Sequence, residues 1–295
     1  MNTLEALIGN TPLVALNRLG AACRPIRLLA KLEGNNPAGS VKDRAALSLF
    51  LGARNSGVLR AGMRIIEPTS GNTGIAMAMI AARWGHPITL VMPESMSMER
   101  RTVMAAYGAH LELTPDAAGM EGAIDRAWAM AQTGEGIIFD QFANPDNWKA
   151  HYRTTGPEIW RDTQGTITHF ISAMGTTGTI MGVSRCLKEH NPAVQIIGVH
   201  PEEGSKIPGI RRWPADYLPK IFEPARVDRI LEVSADAAAE MTRRLAREEG
   251  LFAGHSAGGA LAAALTLART LPGAGCLVVI LPDRGDRYVS TPLFG

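Results

Sequence analysis

The stretch Arg64-Ile65-Ile66-Glu67-Pro68-Thr69-Ser70-Gly71-Asn72-Thr73-Gly74-Ile75-Ala76-Met77-Ala78-Met79-Ile80-Ala81-Ala82 reads as a strand, a turn and a helix in succession. Residues 64–67, centred on two isoleucines, are predicted as a strand, and the small and polar residues 69–74 as a turn. Residues 74–82 carry no polar side chain, so we expect this helix to be buried on every face. Whatever binds at its N-terminus therefore lies in a dry environment.

The same alternation of short apolar runs and helical patterns continues along most of the chain. It predicts an α/β fold built from βα units, with a mostly parallel open twisted sheet flanked by helices. A domain crossing is expected near residues 141–147. The other predicted strands are 88–92, 110–113, 137–140, 169–173, 196–200, 230–233 and 277–281, and the other predicted helices are 41–54, 98–107, 121–132, 179–190, 235–249 and 258–270.

Composition and charge exclude several classes of protein. The 295 residues include 46% hydrophobic and 20% charged residues, which is typical of one large or two moderate globular domains. Thirty basic and twenty-eight acidic residues leave a formal charge of +2, without the basic block of a nucleic-acid binder. We therefore expect no nucleic-acid partner.

Neither a leader nor a membrane span is predicted. The start Met1-Asn2-Thr3-Leu4-Glu5 lacks the regions of a signal peptide, and the richest apolar stretch, 260–268, is too short to cross a bilayer. The three cysteines lie far apart without a Cys-x-x-Cys pair, and the histidines show no His-Glu-x-x-His pattern. We expect a soluble cytoplasmic protein without a metal site.

Two turns rich in Gly and Thr each lie between a predicted strand and a predicted helix. They are Thr69-Ser70-Gly71-Asn72-Thr73-Gly74 and Gly175-Thr176-Thr177-Gly178-Thr179. Backbone N–H groups and the helix dipole attract anions at such a place, although turns of this composition are also common as plain connections. Neither turn matches a Walker A or dinucleotide-binding pattern, so nucleotide binding is not indicated. The presence of two such turns in one chain favours a ligand with two anionic groups, or two ligands with one each.

Lys42 is one of only six lysines, and it falls in the first turn of a predicted helix with Ser40 as N-cap. A cation gains nothing from the positive end of the helix dipole, whereas a neutral amine or imine is less penalised. Taken alone, Lys42 would be interpreted as a solvated surface lysine. A lysine, two anion-binding turns and no metal site together suit pyridoxal 5'-phosphate with an amino-acid substrate.

Longer motifs make the relationship specific. Lys31-Leu32-Glu33-Gly34-Asn35-Asn36-Pro37-Ala38-Gly39-Ser40-Val41-Lys42-Asp43-Arg44, followed by the two turns in that order, resembles the cysteine synthase family, the O-acetylserine sulfhydrylase branch of the fold-type II pyridoxal phosphate enzymes. The resemblance runs from Ile8-Gly9-Asn10-Thr11-Pro12-Leu13 to the last residues. Ile207-Pro208-Gly209-Ile210-Arg211-Arg212-Trp213-Pro214 and Asp283-Arg284-Gly285-Asp286-Arg287-Tyr288 resemble the B type of this family more than the A type.

This resemblance implies the domains, the partners and the reaction. The larger domain would be 1–34 plus 146–295 and would bind the cofactor phosphate, while a smaller mobile domain, 35–145, would carry the lysine and the substrate-carboxylate turn. A homodimer is implied. The expected reaction is β-replacement on O-acetylserine by sulfide or thiosulfate, giving L-cysteine or S-sulfocysteine plus acetate.

The resemblance also implies residue roles. Lys42 would hold the cofactor as a Schiff base and later remove the substrate α-proton, Asn72 would bind the cofactor ring oxygen, and Ser256 would face the pyridine nitrogen. A neutral hydroxyl there suits β-elimination. The phosphate would be bound by Gly175, Thr176, Thr177, Gly178 and Thr179, and the substrate by Thr69, Ser70, Gly71, Thr73 and Gln141, with Arg211 and Arg212 supplying positive charge to a sulfur oxyanion.

Two residues depart from the family pattern. Ala257 stands where a second serine is frequent, and Pro282 stands where the B type has a cysteine before Asp283. The sulfur donor, and the choice between O-acetylserine and O-phosphoserine, are therefore open. The arginine pair could also be a solvated loop face.

Other functions compete with this interpretation. Gly254-His255-Ser256-Ala257-Gly258 matches the nucleophile elbow of α/β-hydrolases, but no histidine follows Ser256 to serve as the base, so residue order rejects a hydrolase. A serine or threonine dehydratase or a cystathionine β-synthase-like lyase would share both turns. A cofactor-free binding or scaffold protein on the same fold is the alternative of another class.

Overall fold

The computed structural model describes residues 3–69 and 71–294. In this part the strands are β1 Leu13–Ala15, β2 Ile26–Leu32, β3 Ile65–Pro68, β4 Ile88–Pro93, β5 His110–Thr114, β6 His169–Ala173, β7 Gln195–Pro201, β8 Arg229–Val233 and β9 Gly275–Leu281. The α-helices are α1 Lys42–Asn55, α2 Asn72–Trp84, α3 Met98–Ala106, α4 Gly119–Gln132, α5 Asp146–Arg153, α6 Thr155–Asp162, α7 Gly178–His190, α8 Ala235–Glu249 and α9 His255–Ala268.

The chain forms two compact units. The first combines residues 1–41 with 148–295, and the second consists of residues 42–147. The short segment before Lys42 belongs to the first unit, because Val41 N donates to Pro282 O at 2.8 Å and Ser40 bridges Asp283. The predicted domain limits at 34/35 and 145/146, and the roles given to the domains, stay predictions.

The first unit is built on a sheet with the strand order β1-β2-β9-β6-β7-β8. Only the β1–β2 pairing is antiparallel among these neighbours, and the other pairings are parallel. Alternate residues of β9 pack on opposite faces: Leu277 and Val279 join a core with α8 and α9, whereas Val278 and Ile280 join a core with α6 and α7. The sheet is therefore covered by helices on both faces, which confirms the predicted α/β architecture.

The second unit contains the parallel sheet β3-β4-β5. Ile66 and Val91 pack against Ala123 and Ala127 of α4 on one face. Leu90 faces the other side, where it lies 3.3 Å from the position that a Cβ of Gly74 in α2 would take. Helix α2 is buried from Thr73 to Ala81, as its apolar sequence predicts.

Most predicted elements are confirmed to within a few residues, with two kinds of error. The predicted strand 137–140 is wrong: only a single bridge, Ile137 to Ile65, forms before Asp140 turns into the left-handed region at φ 54°. Strands β1 and β2 and helices α5 and α6 were not predicted. In residues 3–69 and 71–294, no helix combines the length and the hydropathy needed to cross a membrane.

Lys31 explains why β2 is hard to recognise. Its side chain is fully buried, with Nζ 2.8 Å from Glu158 Oε2, 3.6 Å from Asp162 Oδ2 and 2.6 Å from Thr11 O. The other oxygen of Glu158 accepts the backbone N–H of Asn10 at 3.0 Å. A buried ammonium is tolerated only with such partners, and here they tie the N-terminal segment to α6.

We expect Glu158→Gln to lower the free energy of unfolding by about 3 kcal/mol, because it leaves the buried Lys31 ammonium without its nearest carboxylate. Urea unfolding measures the change. Asp162→Asn is the matched control: this carboxylate is farther away and more exposed, so we expect a loss below about 1 kcal/mol. Equal losses in the two variants would contradict this ranking.

Candidate active site

Lys42 is the first residue of α1 and is half-buried. The two residues before it pair through their backbones with the two residues that follow β9, as described above. The backbone that leads into Lys42 is therefore fixed in place. Ser40, the predicted N-cap, lies two residues before the first helical residue and forms a β-bridge with Asp283. Asp43 follows in the first turn and is fully buried, which suits the positive end of the helix dipole.

The first predicted anion-binding turn follows β3 directly. Thr69 N donates to Val91 O at 3.0 Å, and Gly71 is the N-cap of α2 without a side-chain cap. Gly74 is closely packed: a Cβ there would lie 2.9 Å from Met104 Cε, at the end of a flexible side chain, and 3.1 Å from Thr69 Cγ2. Asn72 is the first residue of the helix. Ser70 lies outside the described residues.

Thr73 and Gln141 come together although 68 residues separate them. The Thr73 hydroxyl donates to Gln141 Oε1 at 2.8 Å, and both side chains are buried. Gln141 O accepts a hydrogen bond from Asn147 Nδ2 at 2.7 Å. Because the amide oxygen of Gln141 accepts from Thr73, its NH₂ group is the part that can donate to a carboxylate.

The second predicted turn connects β6 to α7. Thr177, its N-cap, has left-handed backbone angles (φ 68°) and a buried hydroxyl oxygen without a hydrogen-bond partner among the described residues. A buried hydroxyl without a partner costs stability, and this one lies at the N-terminus of a 13-residue helix. The arrangement is that of a cradle for an anion.

Side chains from elsewhere in the first unit hold this turn. Trp213 Nε1 donates to Gly175 O at 2.7 Å, and the Thr179 hydroxyl lies 3.3 Å from Nε2 of the buried His151. His151 Nδ1 is in turn 2.8 Å from the Thr155 hydroxyl. His151 was not selected from the sequence as a site residue, and nothing in its local sequence indicates this contact.

Ser256 is the second residue of α9 and is buried. Gly209 approaches it closely: with φ at +87°, a Cβ on Gly209 would lie 3.2 Å from Ser256 Oγ. Burial lowers the pKa of the neighbouring His255, so its imidazole is neutral at pH 7. The segment before Ser256 comes from α8 and not from a strand, so the strand–turn–helix of a nucleophile elbow is absent here.

The two arginines of the 204–224 loop have different surroundings. Arg212 forms an ion pair with Glu232 and donates from Nη2 to Pro201 O at 3.2 Å. The Arg211 guanidinium carbon lies 5.1 Å from the centre of the Trp213 ring, and its backbone N donates to Met174 O. Arg212 is thus engaged with the protein itself, while Arg211 remains close to the turn that Trp213 holds.

Comparison with known proteins supplies the family. The family of pyridoxal-phosphate dependent enzymes matches residues 4–283, and the chain belongs to it. Cysteine synthase B of Salmonella typhimurium is 59% identical over 295 residues, covering 100% of this chain and 97% of that protein. Cysteine synthase B of Pseudomonas aeruginosa is 58% identical over 292 residues, covering 99% and 97%. The crystal structure of a cysteine synthase from Entamoeba histolytica superposes with a TM-score of 0.94 at 38% identity, covering 100% of this chain and 90% of that one.

The residues of the second turn fit the phosphate of the family's cofactor. The buried Thr177 hydroxyl can donate a hydrogen bond to a phosphate oxygen, and the α7 N-terminus supplies backbone N–H groups. The absence of a side chain at Gly175 lets the turn lie close to the backbone at Gly209, since a Cβ on Gly175 would be 3.1 Å from Gly209 O. Across residues 3–69 and 71–294, no cluster of His, Cys, Asp and Glu side chains could hold a metal ion.

We expect Thr177→Val to weaken pyridoxal 5'-phosphate binding about tenfold, because a hydroxyl that would donate to the phosphate is lost. The stability of the cofactor-free protein should not fall, since that hydroxyl has no hydrogen-bond partner to lose in residues 3–69 and 71–294. Fluorescence titration and thermal unfolding measure the two quantities. As a control, Thr242→Val removes a buried hydroxyl that donates to Ala238 O, so it should cost stability and leave cofactor affinity unchanged. Cofactor binding that is insensitive to Thr177→Val would contradict the cradle.

Proposed function

We propose that the protein uses pyridoxal 5'-phosphate to replace the acetoxy group of O-acetyl-L-serine by a sulfur nucleophile, forming L-cysteine and acetate. The observation that carries this proposal is the 59% identity to cysteine synthase B over the whole chain. The geometry supports it: a lysine begins one helix, and two turns built for anions begin two others. An amino-acid substrate and a cofactor phosphate need one such turn each.

Lys42 is the proposed catalytic residue. When bound, pyridoxal 5'-phosphate supplies an electron sink for the substrate α-carbon. Lys42 is the amine that would bind the cofactor aldehyde, and its Nζ would also be the base that takes the substrate α-proton. The position at a helix N-terminus favours the neutral amine that both roles require.

The turn after β3 is the proposed site of the substrate carboxylate. Thr69, Ser70, Gly71 and Thr73 would hold the carboxylate at the N-terminus of the buried helix α2, and Gln141, which accepts a hydrogen bond from Thr73, would add its NH₂ group. Low exposure strengthens these hydrogen bonds, because water competes poorly with them there. Asn72 would orient the cofactor ring from the same turn.

Ser256 is proposed to face the pyridine nitrogen. A hydroxyl is neutral and cannot hold that nitrogen protonated as a carboxylate would, so the cofactor is a weaker electron sink. β-Elimination tolerates this, because acetate leaves with the electron pair of the broken C–O bond. The sulfur nucleophile then forms the new bond to the β-carbon, and a proton returns to the α-carbon from Lys42.

The natural protein supplied with pyridoxal 5'-phosphate should show a visible absorption band that Lys42→Ala lacks, because the variant has no amine at that position to bind the aldehyde. O-acetylserine should shift the band in the natural protein, and sulfide should restore it. Lys188→Ala is the control, since Lys188 pairs with Asp228 on the first unit and should leave the spectra unchanged.

The same experiment separates the alternatives. A keto acid and ammonia in place of cysteine would identify a dehydratase, and a new thioether from homocysteine would identify a cystathionine β-synthase-like lyase. A protein that stays colourless with the cofactor supplied would be a binding or scaffold protein.

The surroundings of the two loop arginines support a proposal for the sulfur donor. We infer that Arg211 provides charge to an anionic donor such as thiosulfate, because Arg212 is already engaged with Glu232 and Pro201. Thiosulfate attack would give S-sulfocysteine and acetate. We also propose a cytoplasmic homodimer: the three cysteines are free and buried, which fits a reducing compartment, and the dimer rests on the family resemblance.

We expect Arg211→Ala to raise the KM for thiosulfate about tenfold, because one charge-assisted hydrogen bond to the oxyanion is lost. The KM for sulfide should change little. Arg212→Ala is the matched comparison and should affect thiosulfate less. Equal effects on both donors, or a larger effect of Arg212→Ala, would contradict the assignment.

A further inference from the structure

Glu67 is a buried carboxyl group that the roles above do not use. It lies in β3, two residues before Thr69, and only 1% of its surface is exposed. Its register partner in β4 is Leu90, so Glu67 faces the side of the sheet on which α2 packs, opposite to Ile66 and α4. A carboxyl group in such surroundings needs hydrogen bonds to be tolerated.

Those hydrogen bonds come from one turn of the backbone. Phe139 N donates to Glu67 Oε2 at 3.3 Å, and Gln141 N donates to Oε1 at 3.4 Å. The residue between them, Asp140, has a φ of 54°, a backbone conformation that is uncommon for residues other than glycine. Successive N–H groups around such a residue form a concave anion site, and the Glu67 carboxylate occupies it.

The turn leads directly to the proposed substrate site. The side chain of Gln141 accepts a hydrogen bond from the Thr73 hydroxyl. Its backbone N–H donates to Glu67, and its backbone O accepts from Asn147. The position of the Gln141 amide therefore depends on the turn, and the turn depends on Glu67. No hydrogen bond from Glu67 to Thr73 itself is needed for this linkage.

We propose that Glu67 is a positioning residue for the amino-acid substrate: its carboxylate fixes the 139–141 turn and thereby the Gln141–Thr73 pair that receives the substrate carboxylate. This role rests on the proposed function. The protein should therefore bind the amino acid better when Glu67 is ionised, because a carboxylate accepts hydrogen bonds from both N–H groups more strongly than a neutral acid does.

The charge state of Glu67 changes near neutral pH. Burial raises its pKa to about 8, the negative charge of Asp140 adds to this, and the backbone hydrogen bonds oppose it. Its register partner Leu90 and the buried residues 73–81 of α2 carry no charge, and the charge that raises its pKa is that of Asp140. Amino-acid affinity should therefore rise as the pH rises through about 8.

Glu67→Gln tests the role, because a glutamine has the shape and the hydrogen-bonding capacity of the protonated acid. We expect the KM for O-acetylserine to rise about tenfold at pH 9 and only about twofold at pH 6.5, with kcat nearly unchanged. Equilibrium titration with L-alanine, which has no leaving group, should show the same loss of affinity. Amide hydrogen exchange over residues 139–147 should become faster in the variant.

Two further variants control the result. Asp140→Asn tolerates the left-handed conformation and removes the neighbouring charge, so the pH step in the KM should move to lower pH. Glu112→Gln makes the same chemical change in β5 of the same unit, where the carboxylate pairs with Arg126, and should change neither the KM nor the step. If Glu67→Gln does not fold, the shift caused by Asp140→Asn still decides the matter.

The outcomes separate this role from the proposed function. A natural protein that neither binds L-alanine nor consumes O-acetylserine overturns both. A natural protein that does both, together with a Glu67→Gln variant of unchanged affinity at pH 9, overturns the role of Glu67 alone. An unshifted pH step in Asp140→Asn does the same.

Discussion

Parallel strands impose the constraint on which the rest of this structure depends. Each parallel strand must be followed by a crossover, and here β3 and β6 lead straight into α2 and α7, so that helix N-termini follow the carboxyl ends of strands. The end of β9 fixes the two residues before Lys42. Backbone connections therefore place the residues of the candidate site, and their side chains would add hydrogen-bond donors and one amine.

The larger part of the fold follows from local sequence, because β3 to β9 and the helices beside them have clear apolar patterns. Strand β2 was not predicted because a lysine such as Lys31 normally indicates an exposed position. The partner that allows its burial, Glu158, lies 127 positions away in the chain. The opposite error at residues 137–140 has a similar source. An apolar run predicted a strand there, but Asp140 turns the backbone away from the sheet.

The candidate site shows the same division. Lys42, the two Gly and Thr rich turns and Ser256 are marked by motifs, whereas Glu67 and His151 are recognised only by their contacts with residues distant in sequence. One signal for Glu67 was visible: a glutamate between Ile66 and Pro68 in a strand predicted to be buried. Lys31 and Glu67 are both buried ionisable groups, yet carboxylates hold the first and backbone N–H groups hold the second.

The hydroxyl of Thr177 has a consequence for the life of the protein in the cell. A ligand that binds only the folded chain adds its binding free energy to stability, and a buried hydroxyl left without a partner subtracts from the stability of the empty form. Freshly made chains that have not met the cofactor are thus the population most exposed to unfolding and degradation. We therefore expect the supply of the cofactor to influence how much of the protein accumulates, as well as how much of it is active.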